Sequence, residues 1–239
     1  MILCLDAGNT RLKFGLLDDT SWRLQGALDY GQLDGLLGRL PEKPARIVAC
    51  NVAGDAVRQR IEALAAGLGL TSDWLTSSAA ACGVKNGYDN PAQLGADRWA
   101  ALIGARAQHA GAAIVVMAGT ATTIDALDAD GMFRGGLILP GLALMRAALA
   151  RNTADLPHAA GHYRMQPANT DDAIVSGAIH ATLGAIERMR AALGDDALCL
   201  LSGGAADELA PHLTLPCRRV DNLVLEGLAH YSRSAAGSA

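Results

Sequence analysis

Two segments of the chain combine acidic or hydroxyl side chains with small residues that leave the backbone open to a ligand. The first is Asp6-Ala-Gly-Asn-Thr10, which follows an apolar run. A carboxylate at the end of a buried strand is costly unless a cation such as Mg²⁺ offsets its charge. The N–H groups of residues 8–10 can form a nest for phosphate oxygens, and Lys13 adds a positive charge. The same pattern also fits an ordinary hairpin turn, in which Asp and Asn bond to their own turn.

The second segment, Gly119-Thr-Ala-Thr-Thr123, offers backbone amides and three hydroxyls to the other side of a phosphate chain. Further along, Ser202-Gly203-Gly204 follows a predicted strand and precedes a predicted helix, where glycine allows close approach to a base or ribose. Taken alone, each of these segments is as typical of a simple turn or loop as of a binding site.

A fourth segment, Gly95-Ala-Asp-Arg98, stands at a predicted helix start. The helix dipole favours an ionised Asp97 in the first turn by about 0.3–1 kcal/mol, so this carboxylate is available as a base at neutral pH. Arg98 offers a planar fork for a substrate carboxylate. The alternative is an acidic residue that only complements the helix dipole, next to a surface arginine.

Alternating strands and helices must position these segments, which predicts an α/β fold. Residues 2–18 read as strand, tight turn and strand, and helices are predicted at 31–40, 55–69, 95–109, 142–152 and 170–193. An apolar strand, then Ala-Gly, then small polar residues occur both at residues 2–10 and at 113–121. This similarity indicates two copies of one unit, the second beginning near residue 111.

Composition excludes several classes of protein. The chain has 239 residues, of which 51% are apolar and 18% charged, so it buries a substantial core. A net charge of −4 without a basic run gives no support to binding of nucleic acid or an anionic membrane. Five scattered cysteines, an odd number, indicate reduced thiols in a cytoplasmic protein. Neither a signal peptide nor a membrane span is predicted.

Along nearly its whole length the sequence resembles the type III pantothenate kinases, a family of the acetate and sugar kinase, Hsp70 and actin superfamily. The matching motifs are D-x-G-N-T with the following lysine (residues 6–13), Tyr88, G-A-D-R (95–98), G-T-A-x-T-x-D (119–125), G-G-x-I-x-P-G (135–141), Asn169-Thr170 and the late Gly-Gly turn. The resemblance implies two ribonuclease-H-like domains, expected at residues 1–110, with the first phosphate hairpin, and 111–239.

The resemblance also implies a reaction, the ATP-dependent phosphorylation of the primary hydroxyl of pantothenate to 4'-phosphopantothenate, which begins coenzyme A biosynthesis. The residues matching ATP-binding positions are Asp6, Ala7, Gly8, Asn9, Thr10, Arg11, Leu12, Lys13 and Thr120. Those matching pantothenate-binding positions are Tyr88, Gly95, Ala96, Asp97, Arg98 and Thr170, with Asp97 as proton acceptor. A cytoplasmic homodimer is expected.

Two kinds of cation are expected, and the sequence departs from the family's pattern at the site of one of them. Asp6 is the candidate residue for Mg²⁺. The family usually has an aspartate two residues before the second Gly-Thr and uses it for a monovalent cation, K⁺ or NH₄⁺. This sequence has Met117 there, and a thioether is a poor ligand for a hard cation. Asp125 remains as a compensating carboxylate, and a need for the monovalent cation stays open.

Two other functions stay open on the residues alone. One is a different small-molecule kinase of the same superfamily, and the other is a catalytically silent nucleotide-binding regulator.

Overall fold

The computed structural model describes residues 1–19, 21–154, 156–157 and 159–236. The chain forms two compact units. The first unit comprises residues 1–110, 131–133 and 222–239, and the second comprises 111–130 and 134–221.

Groups of strands and helices are interleaved along the described residues. The strands are β1 (Ile2–Ala7), β2 (Leu12–Leu17), β3 (Trp22–Leu28), β4 (Arg46–Asn51), β5 (Ser72–Trp74), β6 (Ala80–Ala81), β7 (Val84–Asn86), β8 (Ala113–Ala118), β9 (Ala121–Leu127), β10 (Met132–Pro140), β11 (Leu198–Ser202) and β12 (Cys217–Arg219). The α-helices are α1 (Asp55–Gly67), α2 (Ala96–Gln108), α3 (Leu142–Asn152), α4 (Thr170–Leu193), α5 (Ala206–Leu209) and α6 (Leu223–Ala236).

The sheet of the first unit has the strand order β3-β2-β1-β4-β5. The β1–β2 and β2–β3 pairs are antiparallel, whereas β1–β4 and β4–β5 are parallel. Alternate residues of β1, among them Leu3 and Leu5, pack with Phe14 and Ile61 in one apolar cluster. Helices α2 and α6 also pack on this sheet. Both faces of β1 are therefore buried, which explains why its side chains are nearly all inaccessible to solvent.

The second sheet has the order β12-β11-β8-β9-β10-β7-β6, and its five strands from β12 to β10 repeat the arrangement of the first sheet. Its β8–β9 pair is antiparallel, and β8–β11 and β11–β12 are parallel. The first strand of each unit is therefore central, with its hairpin partner on one side and two parallel strands on the other. This common topology supports the repeat that the sequence indicated.

The units differ from the predicted domains in their C-terminal residues. The predicted domains and the observed units share a boundary after residue 110. Helix α6, however, belongs to the first unit, whereas the predicted second domain, residues 111–239, included it. The reason is a close approach of α6 to α2, where a Cβ on Gly227 would lie 1.8 Å from the Ala100 carbonyl oxygen. Trp22 Nε1 also donates a 2.8 Å hydrogen bond to Glu226. Residues 131–133 join the first unit because Met132 and Phe133 pair with β7.

The prediction of an α-helix at residues 31–40 is wrong. The structure has two short 3₁₀ segments, Tyr30–Gly35 and Leu37–Arg39. Three glycines in ten residues lower the helix propensity. The predicted helices at 55–69, 95–109, 142–152 and 170–193 are confirmed as α1, α2, α3 and α4, with ends that differ by at most two residues.

Candidate active site

Asp6 is a buried carboxylate near the end of β1. It is 5% exposed and lies in register with Lys13 on β2, whose Nζ is 4.0 Å from Asp6 Oδ2. On the other side, β4 brings Cys50 into register with Asp6, and the Cys50 thiol donates to Asp6 Oδ1 at 3.7 Å. The hairpin and the parallel neighbour therefore supply one cation and one weak donor to this carboxylate.

Burial raises the pKa of Asp6 from 3.8 to about 6. The Lys13 ammonium opposes this change, the Asp97 carboxylate adds to it, and the hydrogen bond from Cys50 opposes it. Two carboxylates that influence each other, with one lysine beside the first, form a site that favours additional positive charge. A bound Mg²⁺, which usually takes one or two carboxylates and several water or phosphate oxygens, fits this need.

The turn after β1 is held by a residue that the sequence analysis missed. The Tyr30 hydroxyl donates to the Gly8 carbonyl oxygen at 2.5 Å. Arg60 holds Tyr30 in place by donating to its carbonyl oxygen at 2.8 Å, and also pairs with Asp34. Since C=O and N–H point in opposite directions in a trans peptide, the Asn9 N–H points away from Tyr30. This orientation agrees with the predicted anion nest.

Asp97 occupies the first turn of α2, where it is half-buried. Its Oδ1 accepts a 2.8 Å hydrogen bond from the Arg98 N–H. A Cβ on Gly95 would lie 2.7 Å from that same oxygen, so glycine at the helix start leaves room for the carboxylate. The Asp97 carboxylate also influences Asp6 and Cys50, raising the pKa of both. The structure therefore brings the predicted base and the predicted metal-binding carboxylate into one electrostatic site.

Arg98 is 5% exposed rather than a surface residue. Its guanidinium donates to the Tyr88 hydroxyl at 3.0 Å, and its carbon lies 5.7 Å and 5.8 Å from the ring centres of Tyr88 and Phe133. The two rings are 5.2 Å apart. Cation–π attraction and the hydrogen bond together fix the guanidinium. Two predicted substrate residues thus contact each other, and Phe133, which no sequence motif singled out, completes the group.

The Gly119-Thr120 turn of the second unit is surrounded by two other glycines. A Cβ on Gly141 would lie 2.2 Å from the Gly119 carbonyl oxygen, and the Gly141 N–H donates to Thr120 at 2.9 Å. Gly203, with φ of +105°, lies against Ala118 at the start of this turn. The glycine-containing segments at residues 119–123, 135–141 and 202–204 therefore meet here. Their backbones are so close together that a larger residue at Gly141 or Gly203 would clash. Thr120 is exposed on this turn.

Met117 and Thr123 lie opposite each other on β8 and β9, and Asp125 follows two residues later on the same face. Asp125 is fully buried, and the buried Thr123 hydroxyl lacks a hydrogen-bond partner. Over the residues that the structure describes, no group of three or more His, Cys, Asp or Glu side chains is placed to hold a metal ion.

Thr170 is the first residue of α4, and Asn169 caps this helix by accepting a 2.9 Å hydrogen bond from the Asp172 N–H. Both residues border a cavity of about 880 Å³ with mostly apolar walls, including Met145 and Leu149 of α3. The predicted substrate residue Thr170 therefore lies at the N-terminus of α4, beside a large cavity.

Among the residues that the structure describes, the helices are too short or too polar to span a membrane.

Comparisons with known proteins agree with this arrangement. A family model described as type III pantothenate kinase matches residues 2–192. The type III pantothenate kinase of Aromatoleum aromaticum is 53% identical over 242 residues, covering 100% of both chains. That of Dechloromonas aromatica is 49% identical and covers 96% of this chain and 98% of its own.

Solved structures show the same fold at low sequence identity. A proposed Baf family transcriptional activator from Campylobacter jejuni superposes with a TM-score of 0.68 at 21% identity, covering 98% of this chain and 99% of the other. A proposed 2-dehydro-3-deoxygalactonokinase from Sinorhizobium meliloti gives 0.66 at 17%, with the same coverage. With such neighbours and the same order of five strands in each sheet, the fold is that of two ribonuclease-H-like domains. Together, the full-length relatives and the family model show that this chain belongs to the type III pantothenate kinase family.

Proposed function

We propose that this protein transfers the γ-phosphoryl group of ATP to the primary hydroxyl of pantothenate, forming 4'-phosphopantothenate at the start of coenzyme A biosynthesis. The observation that carries the proposal is the placement of Asp97, a half-buried carboxylate at a helix start that is coupled to buried Asp6 and adjacent to the Arg98–Tyr88 pair. Family membership supplies the substrate class.

For ATP, we assign the hairpin residues 6–13 and Thr120. The N–H groups that follow Gly8 would bind phosphate oxygens, and Lys13 would neutralise part of their charge. Asp6 is the residue that would hold Mg²⁺, which neutralises charge on the phosphate oxygens when bound.

For pantothenate, we assign Tyr88, Gly95, Ala96, Arg98 and Thr170. Pantothenate carries a carboxylate, and the buried Arg98 guanidinium provides the complementary charge in a fixed orientation. The tight packing of Tyr88 and Phe133 around Arg98 keeps it from reorienting, so it can position the substrate as well as attract it.

Asp97 accepts the proton of the attacking hydroxyl while the phosphoryl group is transferred in line. In a loose transition state, positioning and neutralisation of charge supply most of the acceleration, and the base acts late. Asp97 lies in the first turn of α2, and the absence of a side chain at Gly95 leaves room for its carboxylate.

Titration calorimetry with pantothenate, with and without a non-hydrolysable ATP analogue, tests the proposal together with a coupled assay of ADP release. We expect one site per chain for each ligand and ADP release that depends on pantothenate. Turnover of acetate or hexoses instead would assign the chain to another kinase of the superfamily. Binding of ATP without any ADP release would make it a nucleotide-binding regulator.

We also propose a homodimer. Support comes from Leu137 and Ile138 on β10 and from Leu144 and Leu149 on α3, which are large apolar side chains between 38% and 65% exposed. Large apolar side chains that are exposed in a single chain are candidates for burial in an interface between two copies. Sedimentation equilibrium should give twice the mass of one chain.

We propose that catalysis needs no monovalent cation, because Met117 stands where the family has its aspartate. We expect the rate in potassium chloride to match that in tetramethylammonium chloride within about twofold, since a thioether does not bind a hard cation. The substitution Met117→Asp should introduce potassium activation, and Met117→Leu should not. Potassium activation of the unmodified enzyme by more than about tenfold would show that Asp125 or backbone oxygens replace the missing ligand.

We expect Tyr30→Phe to weaken ATP binding, because it removes the hydrogen bond that fixes the Gly8 carbonyl. The loss of one such bond should raise the KM for ATP about 2- to 10-fold, with kcat and the KM for pantothenate nearly unchanged. Tyr231→Phe, on α6 of the same unit, is the matched control. An unchanged KM for ATP in Tyr30→Phe would mean that the hairpin keeps its shape without Tyr30.

A further inference from the structure

Two cysteines face each other across neighbouring strands of the second unit. Cys199 of β11 and Cys217 of β12 are in register in a parallel pair, and the Cys199 N–H donates to the Pro216 carbonyl at 3.0 Å. Adjacent strands are about 4.7–4.9 Å apart, which lies within the Cα separations of about 4.4–6.8 Å that a disulfide requires. Side chains of in-register residues point to the same side of the sheet, so the two sulfur atoms are neighbours.

The two thiols already interact. A hydrogen bond between them lowers the pKa of Cys217 and raises the pKa of Cys199, whose burial acts in the same direction. Cys199 belongs to the apolar core of the second unit, whereas Cys217 is exposed on the edge strand, where Arg218 and Arg219 follow it. The Cys217 sulfur is thus accessible to an oxidant, as an attacking thiol must be, and the buried Cys199 sulfur is adjacent to it, as a resolving thiol must be.

The other pair of cysteines on adjacent strands provides a contrast. Cys4 of β1 is in register with Val48, and Cys50 of β4 is in register with Asp6, so these cysteines are offset by two residues. Diagonal neighbours of this kind have Cα atoms about 7–8 Å apart, beyond the reach of a disulfide. Both are also fully buried. Strand register therefore distinguishes one pair that can be linked from one that cannot.

We propose that Cys199 and Cys217 form a redox-sensitive dithiol that a hydroperoxide converts reversibly into an intramolecular disulfide. The Cys217 thiolate attacks one oxygen of hydrogen peroxide, the O–O bond breaks, and the products are a sulfenic acid and, after protonation, water. The Cys199 sulfur then attacks the sulfenic sulfur and displaces a second water. Two thiols are oxidised, one peroxide is reduced to two waters, and a dithiol reductant reverses the change.

The link would join the edge strand β12 to β11 three residues before Ser202, where β11 ends at the Ser202-Gly203-Gly204 turn. It closes the chain between residues 199 and 217, which restricts the unfolded state. We therefore expect oxidation to raise the Tm by roughly 5 °C or more. The site does not depend on the proposed kinase reaction, since no substrate takes part.

Mass spectrometry of the folded protein after brief exposure to hydrogen peroxide tests the proposal. We expect a loss of about 2 Da that a dithiol reductant restores. Trypsin leaves both cysteines in the single peptide 191–218, and further cleavage after Glu208 separates it into 191–208 and 209–218. In the oxidised protein these two fragments should remain joined until they are reduced.

Two variants and one control complete the test. Cys217→Ser, at an exposed position, should abolish the loss of mass, whereas Cys82→Ser should leave it unchanged. In Cys199→Ala the sulfenic acid of Cys217 should persist long enough to be trapped by a cyclic diketone. The proposal is overturned if fragments 191–208 and 209–218 stay reduced, if Cys217 links to a second chain, or if it proceeds to sulfonic acid while Cys199 stays a thiol.

Discussion

Asp97→Asn is expected to lower kcat by about 10²–10⁴-fold, the usual contribution of a general base. Asparagine has nearly the same shape, and its oxygen can still accept the hydrogen bond from the Arg98 N–H, so α2 should keep its first turn. What disappears is the ability to take the hydroxyl proton. The measurement is single-turnover phosphoryl transfer, together with calorimetric binding of the ATP analogue, which should be nearly unchanged.

Asp55→Asn is the matched control for this substitution. Asp55 also lies in the first turn of a helix of the first unit, but its side chain is exposed. If a position in the first turn of a helix were enough to explain the effect, Asp55→Asn would lower kcat as much as Asp97→Asn does. Turnover by Asp97→Asn within about tenfold of the unmodified enzyme would exclude Asp97 as the base.

Asp6→Asn should have opposite effects on stability and activity. Because folding raises the pKa of Asp6 from 3.8 to about 6, the folded state binds its proton more tightly than the unfolded state does. Asp6 therefore reduces the unfolding free energy progressively as the pH rises from about 4 to about 6, and the cost is constant above that range. The full cost corresponds to about 3 kcal/mol at most, so a neutral asparagine side chain at this position should stabilise the protein at pH 8 by about 1–2 kcal/mol.

The same substitution should lower kcat by at least about 10²-fold, because it removes the carboxylate that we assign to Mg²⁺. Protonation of Asp6 should compete with Mg²⁺ for this carboxylate, so the Mg²⁺ concentration needed for half-maximal activity should rise as the pH decreases through about 6. Urea unfolding at pH 4 and pH 8 measures the stability difference, which should be small at pH 4. Asp195→Asn, at an almost fully exposed side chain, is the control. An Asp6→Asn protein less stable than the parent at pH 8 would mean that Lys13 and Cys50 more than offset the burial of this charge.

Much of the secondary structure could be predicted from the sequence. Apolar spacing predicted α1 and α2 nearly to their ends, residues 142–152 and 170–193 were also predicted as helices, and the Ala-Gly pairs after two apolar runs predicted both hairpins. These features depend on residues close together in the chain, so local spacing contains the information. The failure at residues 31–40 is also local, since glycine content outweighed the apolar spacing there.

Contacts between residues that are distant in the sequence could not be predicted in this way. Arg98 could be read as a surface residue until the structure placed it against Tyr88 and Phe133, and Tyr30 showed no signal of its contact with Gly8. These contacts join residues that are distant in the chain, and many arrangements of the same elements would satisfy the same local pattern. The motifs identified the family and its chemistry.

The sequence by itself determined which segments carry carboxylates, hydroxyls and small residues, and that they occur twice in similar order. Only the tertiary structure decided that α6 returns to the first unit, that Asp6 lies between a lysine and a thiol, and that Cys199 meets Cys217. The physical reason is that periodicity and turn chemistry act over a few residues. Strand register and helix packing, by contrast, are settled by how the whole core fills its space.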